Sequence, residues 1–176
     1  MVMKPITTEG IASSSSGTVT TSETINFTLS EASTDFSLAD IAVTGGTLTN
    51  LQGSGTNYSA TFTPTAGTSG TATIGVLSGK FADAAGNLNQ DGTDNNNTLS
   101  LAIDTVLPTV AISGLPTTMK AGDTAIIRFD FSEDPGTGFV ASDIVSSGGT
   151  LSALSATSKN SNGTFQRTAT LTPTVV

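Results

Sequence analysis

The chain has 176 residues, 14 acidic and 6 basic side chains, a net charge of −8, and no His, Cys or Trp. Without imidazole or thiolate there is no Ser-His-Asp or Cys-His catalytic unit and no ordinary zinc, copper, haem or iron–sulfur centre. So few cations argue against a nucleic-acid partner, no apolar run approaches the ~18 residues that cross a bilayer, and Met1-Val2-Met3-Lys4-Pro5 does not open onto the apolar stretch of a signal peptide.

Ser and Thr make up roughly 30% of the chain and Gly adds 19 residues, a mixture suited to short strands and turns rather than helices. Period-two alternation marks the strands in order. A first strand, A, is predicted near residues 6–11. Strand B follows near 21–29, where Ile25, Phe27 and Leu29 alternate with Thr24, Asn26 and Thr28. At most one helical turn is expected over 38–41. C is predicted near 41–44 and, after Gly45-Gly46, D near 47–51. Gly53-Ser54-Gly55 leads into E near 57–63, with Tyr58, Ala60 and Phe62 on one face. Pro64-Thr65-Ala66-Gly67 precedes F near 71–77, carrying Ala72, Ile74 and Val76. A long polar loop over 78–97 then gives way to G near 99–104, with Leu99, Leu101 and Ile103. One apolar and one hydroxyl-rich face per strand is the mark of sheets packed on one side. Seven strands in ~100 residues, punctuated every ~8–12, predict an all-β immunoglobulin-like sandwich. With no Cys and no Trp, its core must be built from Phe, Ile, Leu and Val.

The pattern then repeats. Ile25, Phe27 and Leu29 match Ile127, Phe129 and Phe131; Ser30-Glu31 matches Ser132-Glu133; Asp40-Ile41 matches Asp143-Ile144. Gly45-Gly46-Thr47-Leu48 matches Gly148-Gly149-Thr150-Leu151, and Thr63-Pro64-Thr65 matches Thr172-Pro173-Thr174. Order is kept at a spacing of roughly 103 residues, rising to ~109. The expected organisation is one sandwich over 1–104 and a second over 105–176, the second without its last two strands.

The segments FTLSEASTDFSLADIAVTGGTLTNL, YSATFTPTAGTSGTATIGV, FADAAGNLN and DTVLPTV together resemble the bacterial Ig-like repeats of very large surface adhesins of the biofilm-associated and RTX types. The resemblance spans nearly the whole chain. It implies a non-catalytic stalk module on the bacterial cell surface, with neighbouring Ig-like repeats as partners and often stiffened by Ca²⁺. The second unit departs from the first at Glu133-Asp134-Pro135-Gly136, where the first has Glu31-Ala32-Ser33-Thr34.

Oxygen-rich loops are where a hard cation would bind. Asn87-x-Asn89-x-Asp91-Gly92 matches the first half of an EF-hand-type loop, but Thr98 stands where the bidentate Glu belongs. If strands alternate in direction, the B–C and F–G loops share one end, so Glu31 is expected near Asp83 and Asn87. Asp104, in the linker, is expected near Glu133 and Asp134. The candidate calcium ligands are thus Glu31, Asp83, Asn87, Asn89, Asp91, Asp104, Glu133 and Asp134. The other reading of the same loop is a solvated turn, since Asn, Asp and Gly are turn residues. Asp40 and Asp143 read as turn residues that start strand C.

Two other functions fit the composition. A second unit short of strands would accept one from a neighbour, as in a filament or phage subunit that forms homo-oligomers by strand exchange. A carbohydrate-binding accessory module would need an exposed aromatic platform, for which one Tyr and no Trp offer little.

Overall fold

The computed structural model describes residues 5–91 and 95–174. Its contacts divide the chain into two compact units, Met1–Val106 and Leu107–Val176.

The first unit holds β1 (Thr8–Ser13), β2 (Glu23–Ser33), a 3-10 turn at Leu38–Asp40, β3 (Ile41–Thr44), β4 (Gly46–Pro64), β5 (Ser69–Val76) and β6 (Thr98–Asp104). Two antiparallel sheets form, ordered β1-β2-β4 and β3-β5-β6. This is the predicted immunoglobulin-like sandwich. Strands D and E of the sequence reading merge into the single run β4, which turns back on itself. A straight 19-residue strand would be over ~60 Å long. Instead Asn50, Gly53 and Gly55 take positive φ, and a Cβ built on Gly46 would stand 2.5 Å from the Thr63 carbonyl oxygen. Glycine at 46 is therefore required by the close approach of the two arms of the hairpin.

The first strand is displaced by two residues from its predicted place, and the chain beyond it changes sheets. Residues 8–13 pair with β2, but Val19 crosses to form a parallel bridge with Ile103. There the Val19 amide donates to Ala102 O (2.8 Å) and the Asp104 amide donates to Val19 O (3.1 Å).

Between the sheets the alternating apolar residues meet as predicted. Ile25, Phe27 and Leu29 of β2 and Phe62 of β4 face Ala72, Ile74, Leu101 and Ile103, all buried. Phe36 is the hub at one end. It makes edge-on contacts with Phe27, Tyr58 and Phe81 at centroid distances of 5.8, 5.0 and 4.9 Å. Such pairs add about 0.5–1.5 kcal/mol each beyond simple burial.

The second unit holds β7 (Val110–Ser113), β8 (Ala125–Phe131), a 3-10 turn at Ala141–Asp143, β9 (Gly149–Leu151), β10 (Ser158–Lys159) and β11 (Phe165–Pro173). They form one sheet, β10-β11-β8-β7, with β9 also on β11. It reproduces the first unit down to single hydrogen bonds. Thr7 N donates to Ser30 Oγ (2.9 Å) and Ser30 N to Thr7 O (2.8 Å); Thr109 N donates to Ser132 Oγ (2.9 Å) and Ser132 N to Thr109 O (3.0 Å). Asp40 accepts from Ser37 N (2.7 Å) and Asp143 from Val140 N (2.8 Å), so both are the turn residues expected from their positions. Among the described residues no second sheet packs on this one. Ile127, Phe129, Phe131 and Ala169 are buried against half-buried neighbours such as Phe139, Ile144 and Leu151.

Candidate functional site

In the first unit the β2–β3 loop and the β5–β6 loop do share one end, as the alternating strand directions require. Ser33 bridges Asp83 in antiparallel fashion. The carboxylate joining the two loops is Asp35, not Glu31. Ala82 N donates to Asp35 Oδ1 (3.0 Å), and Ser33 Oγ lies 2.8 Å from both Asp35 Oδ1 and Ala82 O. The Ala82 amide, then the Ser33 hydroxyl, hold the Asp35 carboxyl below its ordinary range. Tyr58 donates its hydroxyl to Ser33 O at 2.6 Å. Burial, then the Asp35 charge, push the Tyr58 phenol up. Glu31 was expected on the loop but lies within β2, half-buried, because pairing continues past the last apolar residue of that strand to Ser33. Sequence reasoning missed Asp35; the Ser-x-Asp spacing of Ser33 and Asp35 was its only signal.

The β5–β6 loop carries four of the predicted ligands, and each is engaged in hydrogen bonds with the protein itself. Asp83 Oδ1 accepts from Ala85 N (2.8 Å) and Asn87 N (2.9 Å), and Oδ2 accepts from Asn87 Nδ2 (2.7 Å). These bonds, the Asn87 side chain first, lower the Asp83 pKa. Asn89 is buried and uses both ends of its amide. Its Oδ1 accepts from Lys80 N (2.7 Å) and Phe81 N (3.2 Å), while Nδ2 donates to Leu77 O (2.8 Å) and Asp91 Oδ2 (2.6 Å). Asp91 is fully buried. Its Oδ1 accepts from the Thr8 amide, and its carbonyl accepts from Asn97 Nδ2 (2.6 Å). Gln90 N adds a bond to Ile6 O (3.0 Å). The loop is thereby stitched to the start of β1. Gly92 and Asp94 lie outside the described residues.

Among the described residues, this arrangement does not fit a calcium ion. Calcium takes six to eight oxygens converging on one point. Here the Asn89 oxygen faces two backbone amides, its nitrogen faces Asp91, and the carboxylates of Asp83 and Asp91 are already satisfied by N–H donors. No three Asp or Glu side chains converge among the described residues. The EF-hand-like spacing of Asn87, Asn89 and Asp91 thus folds as a hydrogen-bonded turn. Of the three expected at the linker, Asp104 accepts from Val106 N (3.2 Å) in the first unit. In the second, Asp134 accepts from Gly136 N (2.9 Å), while Glu133 is half-buried with Oε1 lacking a hydrogen bond.

The best-formed cleft among the described residues gathers no acid–base pair. A cleft of about 430 Å³ between the β2–β3 loop and the β4 hairpin is lined by Ser33, Phe36, Leu51, Gly53, Gly55 and Tyr58. Its one titratable side chain, Tyr58, is spent on Ser33 O. All eight Phe and the single Tyr are buried or half-buried, so the chain presents no aromatic platform for a sugar.

The family model described as bacterial Ig-like domain matches residues 4–100 and again 104–176. Domains of this family are generally non-catalytic structural modules, often found in surface or extracellular proteins. No curated protein matches the chain. The sandwich, the repeated hydrogen bonds and the two matches agree: the chain belongs to the bacterial Ig-like domain family.

Proposed function

We propose that the chain is an extracellular stalk segment of a bacterial surface adhesin, which holds a distal binding element away from the cell. The observation that carries this reading is the parallel pairing of Val19 with β6. Val19 belongs to the incoming segment of the first unit and β6 is its outgoing strand. Pulling on the chain ends drives two parallel neighbours in opposite directions, so their bonds are loaded in shear and must fail together. The incoming end is further held by Gln90 on Ile6 and Asp91 on Thr8. A spacer needs this resistance and needs no reactive side chain. Low charge density, hydroxyl-rich outer faces and two units in series suit the same role.

The test is single-molecule stretching of the chain by its termini. The first unit is expected to hold until one cooperative rupture that releases roughly 350 Å of chain, at ~3.3–3.6 Å per residue. Gradual extension without a force peak would refute the load-bearing reading.

A further inference from the structure

We propose that Asn162 is a self-modification site: the turn that holds it promotes cyclisation onto Gly163, loss of ammonia and conversion to isoaspartate or aspartate. Asn162-Gly163 is the one Asn-Gly step in the chain. It lies where the two units differ. Matched residues are 103 apart at Leu48 and Leu151 but 109 apart at Thr63 and Thr172, so the second unit carries six extra residues between them. It uses that length for a short hairpin, β10 to β11, paired through Ser158–Gln166 and Lys159–Phe165. The turn over Asn160–Thr164 is closed by Asn160 N donating to Thr164 O (2.7 Å).

Two donors converge on one oxygen in this turn. Thr164 Oγ1 (2.7 Å) and Thr164 N (3.2 Å) both donate to Asn162 Oδ1. Asn160 Nδ2 in turn donates to the Thr164 hydroxyl (3.0 Å), and a hydroxyl that accepts one bond is the stronger donor in the next. Because Oδ1 reaches the amide of residue 164, the Asn162 side chain folds across the Gly163 peptide and brings Cγ toward the Gly163 nitrogen. Gly163, at φ 89°, has no side chain to obstruct the closing ring. Asn162 and Gly163 are exposed to water and hydroxide, whereas Asn160 and Thr164, which hold the cradle, are half-buried.

The Gly163 nitrogen gives its proton to hydroxide and bonds to Asn162 Cγ. The carbonyl electron pair moves onto Oδ1, where the two Thr164 donors meet the developing charge, as in an oxyanion hole. The Cγ–Nδ2 bond then breaks, and Nδ2 takes a proton from water and leaves as ammonia. Water opens the cyclic imide at either carbonyl, giving aspartate or isoaspartate and one more negative charge. Before attack, the Gly163 amide donates to Asn160 O (3.0 Å), and that bond has to open. The turn thus restrains the nucleophile and stabilises the oxyanion; of these opposed effects, the second governs the rate.

The test ages the full chain in mildly alkaline buffer and times the gain of one mass unit at Asn162 by peptide mass spectrometry. Thr164→Val should slow conversion about three- to tenfold, the worth of one hydrogen bond, and Thr164→Ser, which keeps the hydroxyl, should restore it. Hydrogen exchange of β8 and β11 shows that the second unit stays folded in each variant; Thr164→Ala replaces Thr164→Val where it does not. In urea, where the turn is gone, the same substitution should change the rate by less than about twofold. If the turn only restrains Gly163, losing the hydroxyl loosens it and conversion speeds up. A faster or unchanged rate in the folded variant therefore overturns the inference. So does a slowing equally large in urea, since local sequence and not the turn would then be its cause.

Discussion

Asn89→Ala tests the account of the β5–β6 loop most directly. The side chain is 1% exposed and makes four hydrogen bonds. Truncation strands the buried Phe81 amide, at about 1–3 kcal/mol, and takes a charge-assisted donor from the buried Asp91 carboxylate, at about 1.5–3 kcal/mol. Lys80 N and Leu77 O, on more exposed residues, can turn to water. The expected loss is about 3–5 kcal/mol, a large part of the 5–15 kcal/mol that holds a domain together. The chain supplies its own probe: one Tyr and no Trp, so intrinsic fluorescence reports Tyr58 and hence the first unit alone. Urea titrations followed by this signal should show a lower midpoint at unchanged slope. Asn87→Ala, which gives up one side-chain bond to Asp83 in a wetter position, should cost less than about 1 kcal/mol. Equal losses for the two variants would refute the reasoning.

Further expectations follow from the same geometry. Thermal melts in millimolar calcium, in magnesium and in EDTA should coincide, because ligand binding to the native state would have to raise the melting temperature; a rise of several degrees with calcium alone would restore the ion. Gly45→Ala should cost the first unit about 2–4 kcal/mol, from left-handed strain plus collision with Ala72, whereas Gly148→Ala should cost the second about 1–2 kcal/mol from strain alone. The check is urea unfolding by Tyr58 fluorescence for the former and hydrogen exchange of β8 and β11 for the latter. Glu23, Asp35 and Asp83 have carboxyls lowered by their hydrogen bonds; for Glu23 the Ser14 and Ser15 hydroxyls bring it from 4.5 to about 2. Their stabilisation is complete above the unfolded values and is lost as pH falls through the folded ones. The urea midpoint of the first unit should therefore hold down to about pH 5 and decline toward pH 2, and Glu23→Gln should shallow that decline.

Local pattern was enough for the strands that alternate strongly. Ile25-Phe27-Leu29, Tyr58-Ala60-Phe62 and Ala72-Ile74-Val76 each had one apolar face, and each faces the core. The repeat was equally legible, because Ser30 and Ser132, Asp40 and Asp143, and Gly46 and Gly149 do the same local jobs in both units. Less legible were contacts between elements distant in sequence. Asp35, which ties the two loops, precedes the amide it accepts from, Ala82, by 47 residues. Nothing near Glu31 showed that β2 would run on past it. The oxygen-rich loop was the plainest case: Asn, Asp and Gly spaced two apart serve a cation or a turn equally well. Only the positions of the Lys80, Phe81 and Thr8 amides decide between them.

Residue type and period by themselves determined that this chain is all-β, built twice on one plan, and without the imidazole or thiolate of a Ser-His-Asp or Cys-His unit. Those properties depend on neighbours within a few residues and on composition. The tertiary structure decided which carboxylates are consumed as hydrogen-bond acceptors, where the chain after the first strand changes sheets, and which aromatic rings meet at Phe36. Each of these depends on groups brought together from opposite ends of a unit, and their energy is set by geometry that no local pattern carries.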